Sequence, residues 1–162
     1  MYFSGQFIHL FQVREKSDGS WDERLRKEAE RDILPFRDES DPTIPGFISI
    51  LNLLYIFTEV FEFATRLCGK ALYKGQLEIS VQLLNVKDFT LIAEYPKFWH
   101  GYYPATSNKI VKSWAISTER LLAESAELAI DGAVDFLKRF GWHNPTLDIL
   151  KQDQEKFLSR RI

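Results

Sequence analysis

A single cysteine, Cys68, has no partner for an internal disulfide, so no covalent framework holds this fold. It sits among apolar residues late in an apolar stretch, where a small buried core residue is expected. Basic excess is missing as well. The formal net charge is −2, so no global positive field draws the chain to nucleic acid or acidic lipid, although a local patch can still do so. Histidine is scarce: a tetrahedral zinc site would need nearly all of His9, His100 and His143 from distant segments, and no metal site is assigned. The sequence has no Gly-rich phosphate loop, GxSxG, HExxH or CxxC pair. No catalytic residue and no cofactor is therefore assigned, and a non-catalytic domain is expected.

A secretory leader pattern is also missing, because Gln6 and His9 interrupt the first apolar residues and no basic region precedes them. A cytoplasmic location is expected. The chain opens almost directly into strand-like sequence, which suits one domain over residues 1–162 cut from a longer protein.

What is present is an ordinary globular balance. Hydrophobic residues make up 45% and charged residues 27%, which argues against disorder, and the 13 phenylalanines favour a large aromatic core or an adhesive partner-facing surface. The largest apolar mass lies between Pro42 and Leu72, and no charged residue occurs from Thr43 to Thr58. This run is shorter than the roughly 20 apolar residues a membrane span needs, and Gly46, Ser49 and Asn52 interrupt it. It is expected to form a central core helix with no membrane contact. Its polar residues Asn52, Glu59, Glu62, Arg66 and Lys70 recur at helical intervals and draw one narrow wet stripe. Glu59 and Glu62 admit two readings. Paired carboxylates in an apolar pocket can split their pKa values and act as acid and base. Alternatively, the stripe Glu59, Glu62, Arg66 and Lys70 is a surface ladder of ion pairs, each contributing about 0.2–0.5 kcal/mol.

Strand patterns flank this helix. Phe3–Arg14 reads as a strand covered on both faces, followed by turn chemistry at Lys16–Ser20. Trp21–Leu34 reads as a surface helix anchored by Trp21, Leu25, Ala29 and Ile33, and the loop Pro35–Pro45 carries the acidic run Asp38–Asp41. Beyond the turn at Tyr73–Gly75, Leu77, Ile79, Val81 and Leu83 alternate with polar residues. Asn85–Asp88 then reads as a hairpin loop, with Phe89–Ala93 as the returning strand. Ile110–Ile116 alternates again, with Ile110, Lys112, Trp114 and Ile116 on one side.

A helix capped by Ser117 or Thr118 is expected to run to Phe140, with Gly141 at the C′ position. Its acidic line Glu124, Glu127, Asp131 and Asp135 opposes Leu122, Ala126, Ala129, Ala133 and Leu137, whose small side chains permit close packing. Asn144–Pro145 reads as the N-cap and first residue of a last helix through Leu158.

The segment Tyr95–Tyr103 concentrates aromatics. Lys97, Phe98, Trp99, His100, Tyr102 and Tyr103, with Lys109 and Lys112 beyond, form the candidate interaction surface. Flat rings and cations suit single-stranded nucleic acid, aromatic anchors suit a protein interface, and a loop this apolar also suits simple core cover.

Three segments together resemble a known protein family: the helix IFTEVFEFATRL, the hairpin-like EISVQLLNVKDFTL, and the ending FLKRFGWHNP followed by Gln152 and Gln154. They are similar to the C-terminal portion of prokaryotic proteins with an AlbA/Schlafen-type putative DNA-binding domain at the N-terminus, described as regulators or ATP-binding proteins. The resemblance covers most of residues 48–155 and lies in packing motifs. The DNA-binding module has no counterpart here, so the resemblance implies a companion domain that positions, senses or oligomerises for a functional neighbour.

The expected fold is α+β: a mainly antiparallel sheet of three or four strands packed on the long central helix and the Thr118–Phe140 helix. The expected function is a non-catalytic interaction or sensor domain of a prokaryotic regulatory or defence protein, with a protein partner or self-association. Two other readings stand beside it. One is a small-molecule or enzymatic pocket near the central helix, bringing Glu59, Glu62 and Arg66 to His100 or Tyr102. The other is nucleic-acid binding through the aromatic and lysine loop 95–112.

Overall fold

Ser49 divides the uncharged run into two kinds of structure. In the computed structural model, which describes residues 14–16, 27, 31, 33–38, 44–70, 74–93 and 101–159, the run begins as strand β2, Gly46–Ser49, and becomes helix α1, Ile50–Gly69, only afterwards. Ser49 is extended (φ −67°, ψ 124°), and its Oγ accepts the Asn52 amide hydrogen at 2.8 Å. That is an N-cap, which satisfies a donor the first helical turn cannot pair internally. The expectation of one helix through the whole run is corrected accordingly. Gly46, Phe47 and Ile48 are buried because β2 is the middle strand of a sheet, and such strands read as continuous apolar runs. Replacing Ser49 with alanine is expected to cost about 1 kcal/mol, read as a lower thermal midpoint with unchanged far-UV dichroism.

The sheet around β2 has the order β1-β2-β4. Strand β1, Arg14–Lys16, runs antiparallel to β2, while β4, Thr90–Ile92, runs parallel to it with Ile48 opposite Leu91. The second sheet has two strands, β3 at Gln76–Leu84 and β5 at Lys109–Ser117, antiparallel and paired residue for residue from Gln76↔Ser117 to Leu84↔Lys109. The hairpin expected over Leu77–Ala93 is therefore not formed: both strands exist, but they join different sheets. Burial explains the separation. In β3 only alternate residues turn inward, whereas Thr90, Leu91 and Ile92 are all buried. A strand covered on both faces fits beside β2, and a half-covered one does not. The link between them breaks from strand geometry at Asn85 (φ 58°) and Asp88 (φ 64°).

The α+β class holds, with two small sheets in place of one mainly antiparallel sheet. Of the strand expected over Phe3–Arg14, all but Arg14 lies outside the described residues, and β1 continues to Lys16, where a turn was expected. Within Trp21–Leu34 the described residues Lys27, Arg31 and Ile33 are helical, and Ile33 is wholly buried, as its anchor role requires. Leu34–Phe36 is a single 3-10 turn. In the acidic run after it, only Asp38 is described, and it is exposed.

Helix α2, Thr118–Arg139, is capped by Ser117, whose Oγ accepts the Arg120 amide hydrogen at 3.2 Å. Just inside, the Glu119 carboxyl is held below its usual range, first by its own backbone N–H and then by the Ser117 side chain. The helix ends as its sequence dictates: Gly141 takes φ 89°, and the Trp142 amide reaches back to the Leu137 carbonyl at 3.2 Å. Helix α3, Leu147–Ser159, starts two residues later than Asn144–Pro145 suggested. Thr146 takes the capping place, since its carbonyl accepts from the Ile149 and Leu150 amides.

The core lies where α1 and α2 pack antiparallel beneath the β3–β5 sheet. Phe57, Phe61, Phe136 and Phe140 are fully buried there. Trp114 on β5 meets Phe57 and Phe61 edge-on at 5.9 and 6.0 Å and lies nearly parallel to Phe136 at 6.4 Å. Tyr55 of α1 stacks on Phe157 of α3 at 4.2 Å, which brings α3 onto α1. Among the described residues, no helix is long and apolar enough to cross a membrane.

Candidate functional site

The aromatic segment is divided. Lys97, Phe98, Trp99 and His100 lie outside the described residues, and Tyr102 and Tyr103 are half-buried and packed against the core. Residues 103–105 run beside β4. The Leu91 amide donates to the Tyr103 carbonyl at 3.3 Å, the Ala105 amide to the Phe89 carbonyl at 2.8 Å, and Thr90 Oγ1 accepts from the Tyr103 amide at 3.2 Å. Tyr103 also packs on Trp142, with ring centroids 6.3 Å apart. This end of the segment extends the β1-β2-β4 sheet. The two lysines beyond it separate: Lys109 is exposed, whereas Lys112 turns inward, pairs with Asp135 of α2 and stands 6.0 Å from the Trp114 ring centroid.

The polar stripe of α1 is half seam and half surface. Glu59 and Glu62 are half-buried, and Arg66 and Lys70 are exposed. Glu62 accepts a hydrogen bond from the Ser125 hydroxyl of α2 at 2.9 Å and forms no ion pair with Arg66 among the described residues. The expected ladder is thus corrected: helical spacing places Glu62 and Arg66 near each other, but packing of α2 captures the carboxylate first. One turn on, Thr65 Oγ1 donates to the Phe61 carbonyl at 2.9 Å and lies 3.4 Å from the Leu121 carbonyl across the seam. No hydrogen bond or ion pair links Glu62 or Arg66 to Tyr102.

A second polar cluster, absent from the sequence reading, lies where α1, α2 and α3 meet. Gln154 is 3% exposed; its Nε2 donates to Thr58 Oγ1 at 3.1 Å and to the Ala126 carbonyl at 2.9 Å. Thr58, wholly buried, donates in turn to the Leu54 carbonyl at 2.8 Å. The acceptor in α2 lies just past a break, since Glu124 leaves helical geometry (φ −131°, ψ 23°). The break shifts the helical phase. Leu121 is therefore fully buried and Leu122 is 50% exposed, which corrects the expectation that Leu122 joins Ala129, Ala133 and Leu137 in the packed row. On the acidic line Glu124, Glu127 and Asp131 are exposed, while Asp135 serves Lys112. Burial pushes the Cys68 thiol pKa up, away from the reactive thiolate.

Among the described residues, Glu62, Lys112, Asp135 and Gln154 tie elements together. The open feature is the β3–β5 sheet. Its inner face, Leu77, Ile79, Val81 and Leu83 with Ile110, Trp114 and Ile116, packs on the helices, while Glu78, Ser80, Gln82, Leu84, Val111 and Ser113 face outward and exposed. Leu84 and Val111, 55% and 42% exposed, are diagonal neighbours on that outer face. Among the described residues, neither β3 nor β5 pairs with a third strand. Alternation in the sequence predicted the two faces; nothing local predicted that β3 would pair with β5 and not with β4. Comparison with known proteins finds no matching family model, no similar curated protein and no matching solved structure.

Proposed function

We propose that this domain is a non-catalytic interaction module that associates with copies of itself. It serves as the companion of a functional neighbour in a prokaryotic regulatory or defence protein. The observation that carries the proposal is the β3–β5 sheet, nine residues long in each strand, with an exposed outer face and no third strand among the described residues. Unpaired strand edges are templates for added strands, and proteins that do not use them normally blunt them. The engagement of Glu62 with Ser125, Lys112 with Asp135 and Gln154 with Thr58 points the same way, because each holds elements together. The regulatory setting comes from the resemblance of residues 48–155 to the companion region of AlbA/Schlafen-type proteins.

Sedimentation velocity over a wide concentration range tests this reading. A weight-average mass that rises with concentration toward twice the chain mass is expected. A single monomeric species at every concentration contradicts it.

A further inference from the structure

The geometry points to the β3 edge as the contact, with a second copy of this chain adding its own β3 antiparallel about a two-fold axis at Ser80. This inference rests on the self-association reading and specifies its surface. The residues of β3, QLEISVQLL, include one charge, no proline and no glycine, and they pair with β5 without a bulge. Proline and a bulge, two of the usual devices that protect an edge, are therefore missing from it, and Glu78 is its single charge. Strand β5 is differently placed. It is bound to α2 through Lys112–Asp135 and Trp114–Phe136, and it carries two lysines. A two-fold axis at Ser113 would set Lys112, already held by Asp135 of its own copy, opposite Trp114 of the second copy, and Lys109 near the end of the contact, with no carboxylate–amide match across it.

The two-fold axis at Ser80 opposes no like charges. On the outer face it places Glu78 against Gln82 of the second copy, twice by symmetry, so each carboxylate meets an amide donor. Ser80 meets its own counterpart, and Gln76 meets Leu84. On the inner face Leu77 lies opposite Leu83, and Ile79 opposite Val81. Leu77 and Val81 are only half-buried in one copy, so they have area left to cover. The contact is isologous and closes on itself, giving a dimer and not a fibre. It also converts a two-stranded sheet into a four-stranded one. The paired edge is roughly 30 Å long at about 3.4 Å per residue.

Sedimentation equilibrium of the full chain and three variants tests the inference. Ser80→Lys puts two ammonium groups face to face at the axis and is expected to weaken self-association by about tenfold or more. Because Ser80 is exposed and outward, its far-UV dichroism and thermal midpoint should match the parent chain. Gln82→Lys, which offers Glu78 of the other copy a cation twice, is expected to tighten association by about threefold or more at low salt. Ser113→Lys on β5 should leave the constant unchanged. Self-association that Ser80→Lys does not weaken overturns the β3 contact while leaving the interaction reading intact. Dissociation by Ser113→Lys instead overturns it by moving the contact to β5. A parent chain that stays monomeric overturns both.

Discussion

Replacing Gly132 with valine is expected to destabilise the domain by about 3 kcal/mol, although glycine is a poor residue for the middle of a helix. A Cβ at Gly132 would stand 2.8 and 2.9 Å from two ring carbons of Phe57 and 3.5 Å from Phe61. Phe57 is hemmed in by other rings. It is fully buried, edge-on to Trp114 at 5.9 Å and to Phe136 at 5.0 Å. The absence of a side chain at Gly132 lets α2 approach α1 at this point. Helix propensity alone favours alanine over glycine by about 1 kcal/mol, so Gly132→Ala should be milder than the valine variant, and its sign reports how far the ring can shift. The cause can be isolated with Phe57. Phe57→Ala alone should cost about 3–5 kcal/mol through lost burial and the cavity it leaves. In that background Gly132→Val should cost at least about 1 kcal/mol less than in the parent chain, because its clash partner is gone. Denaturant melts of the four chains measure this coupling; strict additivity would mean that the Phe57–Gly132 contact does not set the spacing of the two helices.

The second large effect is expected at Gln154. Gln154→Leu keeps most of the buried volume but removes the amide that serves Thr58 and the Ala126 carbonyl. Thr58 keeps its bond to the Leu54 carbonyl, so the main loss falls on Ala126, just past the break at Glu124. The Ala126 carbonyl is part-buried and keeps its place in the helical ladder, so the loss is that of the hydrogen bonds themselves, about 0.5–1.5 kcal/mol each. The loss should also be local: amide exchange should accelerate in the turn after Glu124 more than in the part of α2 near Phe136. Unchanged stability, or uniform acceleration along α2, would show that Gln154 does not brace the break.

The parts of this fold that were legible in the sequence are those set by near neighbours. Helix α2 was readable at both ends because Ser117 and Gly141 sit next to the backbone groups they satisfy. The inward faces of β3 and β5 followed from alternation, and β5 extends only one residue beyond each end of Ile110–Ile116. Non-local choices were not legible. The short polar link Asn85–Asp88 resembled a hairpin, yet the partner of β4 is β2, more than forty positions earlier in the chain. Apolar composition hid β2 inside the helical run, although Ser49 stood there as its end signal. The stripe on α1 was legible as a shared face, but its neighbours were not, so Glu62 was assigned to Arg66 in place of Ser125. The candidate surface fared similarly. Tyr102 and Tyr103 were visible as aromatics, while their lodging against the core depended on strand pairing at β4.

Hydrogen exchange of β3 at low and high protein concentration tests the interaction reading most directly. If copies of the chain join along β3, amide protection across Gln76–Leu84 must rise with concentration in step with the sedimenting mass. Protection in β5, whose other edge stays free, must change much less. Exchange in β3 that is the same at every concentration, whether or not the mass rises, would contradict the assignment of this edge as the site of association.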